Sequence, residues 1–320
     1  MSSVVYDLKR FNPENGFLDN SMFILAIDEE DRSKHVLNSI ARQDNNCKSA
    51  IVFIHGDQHN FANELELLKM AIHTENINVI DGFSMTQNEF VKCLKQCSPL
   101  TQVNKIIIDI SCILTPYLFL LMKCIYMWNH DACLYAINTV PFDYSFSESP
   151  FTSYKSYYGD LKNEEIIGFS SMQNSRENSD LFIFSGFEGA LALKVVEDTE
   201  FSNLVFVNAL PSYYQKYKDI SIINNYKLLQ SRNCSIMYTP ANNPFEVYNF
   251  LDSQIDDDKC VSIAPLCAKP VSLGICMYAL VHQNIRIVYP FSDRYENGRS
   301  HKVFDSYIFT ILFNNLDSDN

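Results

Sequence analysis

The residues in this chain that could do chemistry stand at the ends of short apolar runs. KIIID, residues 105–109, closes on Asp109, and Ser111 and Thr115 follow it. A carboxylate that ends a run of isoleucines loses solvation unless it is hydrogen-bonded or put to use. Two readings stand: Asp109 caps the next helix, or it serves a ligand. FILAI, residues 23–27, runs into Asp28, Glu29, Glu30, Asp31 and Arg32. Acidic residues gather where helices start, because unpaired N–H groups and the helix dipole favour negative charge there. A solvated cap cluster is therefore favoured over a metal site. HGDQH, residues 55–59, offers two imidazoles and a carboxylate but names no ligands to complete a coordination shell.

The second half of the chain has its own set. SGFEG, residues 185–189, holds Gly186, Glu188 and Gly189 in a loop after an apolar run. Its glycines allow a tight turn and close backbone approach, but the spacing is too loose for a dinucleotide fingerprint. PLCAKP, residues 265–270, places Lys269 at a helix start, where the local dipole opposes a positive charge. An anion contact is one reading and an ordinary surface lysine the other. The ligand-binding set is thus Asp109, Ser111, Thr115, Gly186, Glu188, Gly189 and Lys269. No P-loop, nucleophile elbow or HExxH motif occurs, and no Ser, His and Asp share a triad-like context. No reaction is fixed by motif, and no cofactor follows from these residues.

Ten cysteines raise disulfides and zinc. Most lie in or beside apolar runs, where a thiol behaves as a small hydrophobe. No CxxC pair is present, and Cys93 with Cys97 has no companion pair, so no metal is expected.

The elements that must position these residues are legible as apolar runs. FILAI, AIVFIHG, INVID, KIIIDIS and ACLYAI read as strands separated by helices. After a Ser-, Tyr- and Asn-rich stretch with one short strand at EIIGFS, the rhythm restarts with DLFIF, NLVFV, CSIMY, KCVSIAP and NIRIVYP. The last of these is expected to break at Pro290. KVFDSYIFTILFNN reads as a final helix, less readily as a strand. Strands without alternation imply parallel sheets covered on both faces. The expected fold is α/β, with duplicated Rossmann-like parallel sheets covered by helices. The halves are 1–145 and 179–320, with 146–178 as connector. FILAIDEEDRSKHVL aligns without a gap to FIFSGFEGALALKVV, and both halves carry a strand ended by Pro-Phe, at 141–142 and 290–291. That supports internal duplication. In such sheets ligands bind beyond the carboxyl ends of the strands.

An Asp-x-Ser strand end before an apolar helix, a Gly-Phe-Glu-Gly loop and a Pro-Leu-x-x-Lys-Pro loop resemble an uncharacterised group of bacterial α/β proteins. More distantly the chain is similar to the CARF sensor domains of bacterial antiviral systems. The usual Gly-Gly-Thr character of that sensor loop is replaced here by Cys112, Ile113 and Leu114. The resemblance implies a sensor or interaction subunit of a defence or regulatory complex, with other protein subunits as partners and a nucleotide-like ligand between the halves. The alternative is an enzyme acting on nucleotides or nucleic acid through Asp109, Glu29 and Glu188.

Composition narrows the classes. Hydrophobic residues make up 47% of 320, ample for a large core. The net charge of −13 opposes non-specific nucleic-acid binding, which needs lysine and arginine. No apolar run free of charge reaches about 18 residues, so no membrane span is expected. The opening MSSVVYDLKRFNPENG has no signal-peptide pattern. A cytoplasmic protein with reduced thiols is expected.

Overall fold

The structure, a computed structural model, describes residues 9–55, 58–82, 85–145, 160–170, 179–256, 258–292 and 300–317. The chain divides into two compact units, 1–144 with 297–320, and 145–296.

The first unit opens with β1 (Lys9–Arg10), β2 (Met22–Ile27), α1 (Asp31–Ile40), β3 (Ser49–Ile54), α2 (Ala62–Ile72) and β4 (Ile77–Asp81). It continues with α3 (Gln87–Gln96), β5 (Lys105–Asp109), α4 (Thr115–Trp128) and β6 (Cys133–Tyr144). The second unit holds β7 (Leu161–Glu165), β8 (Asp180–Phe184), α5 (Gly189–Asp198), β9 (Leu204–Ala209), α6 (Gln215–Asn224) and α7 (Tyr226–Ser231). Then come β10 (Ser235–Thr239), α8 (Pro244–Gln254), β11 (Val261–Pro265), α9 (Lys269–Val281) and β12 (Ile285–Ser292). The chain returns to the first unit as β13 (Ser300–Leu312) and α10 (Phe313–Asp317).

Each unit is a mostly parallel sheet flanked by helices, a Rossmann-like arrangement. The first sheet has the order β1-β13-β6-β5-β2-β3-β4 and the second β10-β9-β8-β11-β12-β7. Read from the opposite edge, the first runs β4-β3-β2-β5-β6-β13-β1, so its first six strands correspond in order to the six of the second, and β1 is extra. Phe23 on β2 stands opposite Ala50 and Ile107, and Phe182 on β8 opposite Val205 and Ile263. The two phenylalanines occupy equivalent central strands, as the duplication requires. In both sheets the sixth strand is antiparallel, β13 on β6 and β7 on β12.

Two-sided burial explains the unbroken apolar runs. All six residues of β2 and of β3 are buried. Phe23, Leu25 and Ile27 pack in one cluster with Val36, Leu37 and Ile40 of α1 and Leu68 and Ile72 of α2. On β3, Phe53 stacks on Phe90 of α3, which stacks on Tyr117 of α4. A strand covered on both faces has no polar side to alternate with. Helix α3 begins at a capping box, where Thr86 Oγ accepts the Glu89 N–H and the Glu89 carboxylate accepts the Thr86 N–H. Helices α4 and α9 each start with a proline in the first turn and are buried almost all round.

Three expectations are corrected. KVFDSYIFTILF is a strand, not a helix. Phe309 and Ile311 point inward while Thr310 and Leu312 are exposed, and aromatic and β-branched residues suit that period-two surface. Because β13 pairs with β6 from Leu312↔Cys133 to Ser300↔Tyr144, this segment belongs to the first sheet and not to a 179–320 half. Unit 145–296 is thus an insertion between two paired strands. Finally, neither Pro-Phe pair ends a strand. Pro141 pairs with Val303 and Pro290 with Asn163, and both strands run on, because an antiparallel neighbour supplies other ladder bonds beside each proline. The short strand expected at EIIGFS lies just earlier, at Leu161–Glu165.

No disulfide joins any of the ten cysteines. Among the described residues no helix is long and apolar enough to cross a membrane.

Candidate functional site

The carboxyl ends of β2 and β5, neighbouring parallel strands in the first unit, carry a buried charge cluster. The loop after β2 turns back on itself. Asp28 Oδ1 accepts the Glu30 N–H at 2.8 Å, and Ser33 Oγ donates to the carbonyls of Asp28 and Glu30. These bonds turn both carboxylates inward, and each is 1% exposed. The expected solvated cap is therefore half wrong. Glu29 and Asp31 face solvent, whereas Asp28 and Glu30 are sealed in the core.

Glu30 anchors the cluster. Its Oε2 accepts the Arg32 Nε–H at 2.6 Å and the Ser300 Oγ–H at the start of β13. Asp31 accepts the backbone N–H of Lys302 at 2.8 Å. Burial works against the Arg32 charge, yet Glu30 first, then Cys112, Tyr144 and Asp28, hold its pKa well above the ordinary arginine value.

Asp109 is the last residue of β5. Its Oδ1 accepts both the N–H and the Oγ–H of Ser111, at 3.0 and 2.5 Å. Ser111 Oγ in turn accepts the Thr139 N–H from β6 at 2.8 Å. Asp109 Oδ2 is buried and has no hydrogen-bond partner among the described residues. Burial pushes this carboxyl up to about 7, against the Ser111 bonds and the Arg32 charge, with Asp28 adding to the rise. The Cys112 thiol is raised for the same reason, burial first and then Asp28. One ligand atom each from Asp28, Glu30 and Cys112 lies within 4.8 Å of the others, and all three residues are buried.

Of the sequence-derived candidates, Asp109 and Ser111 are joined directly, and Thr115 opens α4 close behind them. The other four lie in the second unit, at the carboxyl ends of β8 and β11, also adjacent parallel strands. Glu188 stands at the cap position of α5 and is buried, Gly189 begins that helix, and Lys269 begins α9. Gly186 is required by crowding: a Cβ there would lie 2.0 Å from the Leu266 carbonyl oxygen. At this end of the second sheet the Gly186 carbonyl is held by neutral groups. Ser221 Oγ and Asn225 Nδ2 both donate to the Gly186 carbonyl, and Ser185 Oγ contacts Ser221 Oγ at 2.9 Å. Counting from the paired phenylalanines, Asp109 corresponds to Pro265. The charge present at the end of β5 has no counterpart at the end of β11.

Arg32 was among the residues read at the end of the first apolar run, whereas Cys112 and Ser300 were not singled out from the sequence as site residues. Nothing local marks Ser300, which is 270 residues from its partner Glu30.

Fold and site together define a protein of two Rossmann-like α/β units with a buried ionisable cluster in the first. No family model and no curated protein matches the chain. Among solved structures, the cytoplasmic domain of a prokaryotic cation chloride cotransporter aligns over 86% of this chain and 96% of that one, at 10% identity and a TM-score of 0.26. A likeness that low carries no argument about function.

Proposed function

We propose that this protein is a ligand-sensing subunit of a multiprotein regulatory assembly, of the antiviral-defence kind the sequence resemblance implies. A nucleotide-like ligand with hydroxyl or amine donors engages the strand-end crevice of the first unit. One observation supports this most: the buried cluster reaches both places where the chain passes between its units. Glu30 accepts the hydroxyl of Ser300, the first residue of β13, opposite the last residue of β6. Tyr144 and Ser300 are themselves a paired position. A ligand that recruits Asp109 or Arg32 redistributes charge around Glu30 and so bears on both crossings. Burying Asp28, Glu30, Arg32 and Asp109 together is weak evidence of a stabilising role, since apolar replacements of buried ion pairs are often neutral or stabilising.

The test is thermal unfolding and amide hydrogen exchange with a panel of mononucleotides and cyclic and linear oligonucleotides. One panel member should raise the unfolding midpoint, slow exchange at 142–145 and 300–303, and be recovered unchanged. Asp109→Asn, which keeps the side-chain shape, should weaken that binding by about 1–3 kcal/mol. Turnover of the bound nucleotide would make the protein an enzyme instead. Absence of any shift across the panel, or equal binding by Asp109→Asn, defeats the reading.

A further inference from the structure

We infer that Asp28, Glu30 and Cys112 form a binding site for a divalent transition metal, zinc foremost, in the first-unit crevice. This deepens the proposed function by naming what gives that crevice its affinity for an anionic group. Three donors of the types zinc takes converge within 4.8 Å, two carboxylates and a thiol, all buried. The carboxylates lie on the loop after β2, and Cys112 lies on the loop after β5. Two adjacent parallel strands therefore aim them at one point.

Asp109 is the independent sign of a ligand. Its Oδ2 is buried without a hydrogen-bond partner among the described residues, and its charge interacts with those of Asp28, Arg32 and Cys112. A buried acceptor of that kind is normally satisfied. A water on the metal would satisfy it by donating to Oδ2, the outer-shell role that carboxylates take beside bound metals. Three protein donors and one water make an open site.

Two ligand carboxylates, a Cys112 thiolate and the Asp109 carboxylate outnumber the Arg32 guanidinium, leaving three negative charges, of which a divalent cation offsets two. Arg32 donates its Nε–H to Glu30 Oε2, so the guanidinium already lies against one of the three donors. The Cys112 thiol is held protonated by burial in the absence of a cation, and metal binding would release its proton. Zinc is preferred over magnesium because the thiolate is a soft ligand.

The full-length protein, purified without chelator, would be analysed for metal by mass spectrometry. It would then be stripped and titrated with zinc and with cobalt. One zinc per chain is expected, and the cobalt form should show sulfur-to-metal charge-transfer absorption in the near ultraviolet. Cys112→Ser should abolish that band. Asp28→Asn should weaken zinc binding by more than the roughly 10–100-fold typical of outer-shell partners, a loss that Asp109→Asn should show. Circular dichroism of each variant checks folding, and Glu30→Gln is the second ligand variant should Asp28→Asn fail to fold. Metal well below one per chain, cobalt bound without the sulfur band, or unchanged binding in Cys112→Ser overturns the inference. Repeating the nucleotide panel with and without chelator separates the two readings: binding that survives metal removal sinks the metal's role and leaves the sensor.

Discussion

Asp109 concentrates the physical chemistry of the first unit in one side chain. It is fully enclosed, it spends one oxygen on Ser111, and its pKa stands at about 7 because burial disfavours the charge. An unfolded aspartate titrates near 4. Between those values the folded protein holds a proton that the unfolded chain has lost. The stabilising contribution is therefore complete below about pH 4 and is lost as pH rises through about 7. Three pKa units correspond to about 4 kcal/mol. In chelator-treated protein, denaturant unfolding across this range should show stability from this group falling with rising pH. Asp109→Asn should remove that slope. A wild-type slope retained in the variant would show that another group is responsible.

At the scale of elements, the two sheets share a strand order but finish their ligand-facing ends differently. In the first unit the loop after β2 is folded inward by Asp28 and Ser33, and the chemistry is ionic. In the second, Ser221 of α6 and Asn225, between α6 and α7, reach over the loop after β8 and bind the Gly186 carbonyl. That loop has no room to spare, given a Cβ position 2.0 Å from the Leu266 carbonyl. Gly186→Ala must displace the backbone after β8 or after β11, so a loss of about 1–3 kcal/mol is expected, as for other overpacked sites. Thermal unfolding measures it. An alanine variant as stable as the wild type would mean that the two loops move apart freely.

For the whole molecule, the decisive feature is the insertion of 145–296 between β6 and β13. Tyr144 and Ser300 face each other across the antiparallel pair, so a two-residue turn could join them directly. Replacing residues 145–299 by Asn-Gly should leave a folded first unit with all seven strands, a single cooperative unfolding transition and the Glu30–Ser300 bond intact. By contrast, ending the chain at residue 296 removes β13 and leaves β6 without its antiparallel neighbour. That product should be aggregation-prone or unfolded. Comparing the two by circular dichroism and size-exclusion chromatography tests the insertion. A well-behaved truncation beside a misfolded turn variant would contradict it.

The sequence by itself determined the layers. Runs such as FILAI and the three isoleucines of KIIID, apolar without alternation, read as strands covered on both faces, and the recurrence of that rhythm foretold two similar sheets. It also placed Asp109, Ser111 and Gly186 at strand ends, because a polar or glycine break after such a run marks where backbone leaves the core. Tertiary structure decided the rest. Whether Asp28 and Glu30 meet solvent depends on a local turn closed by Ser33, and acidic residues after a strand look the same either way. Whether YIFTILF is helix or strand depends on β6, whose open edge lies more than 150 residues back in the chain. Whether Asp109 has a charged neighbour depends on the pairing of β2 with β5. Each of these turns on contacts between segments distant in sequence, and the run of residues at either end carries no record of the other.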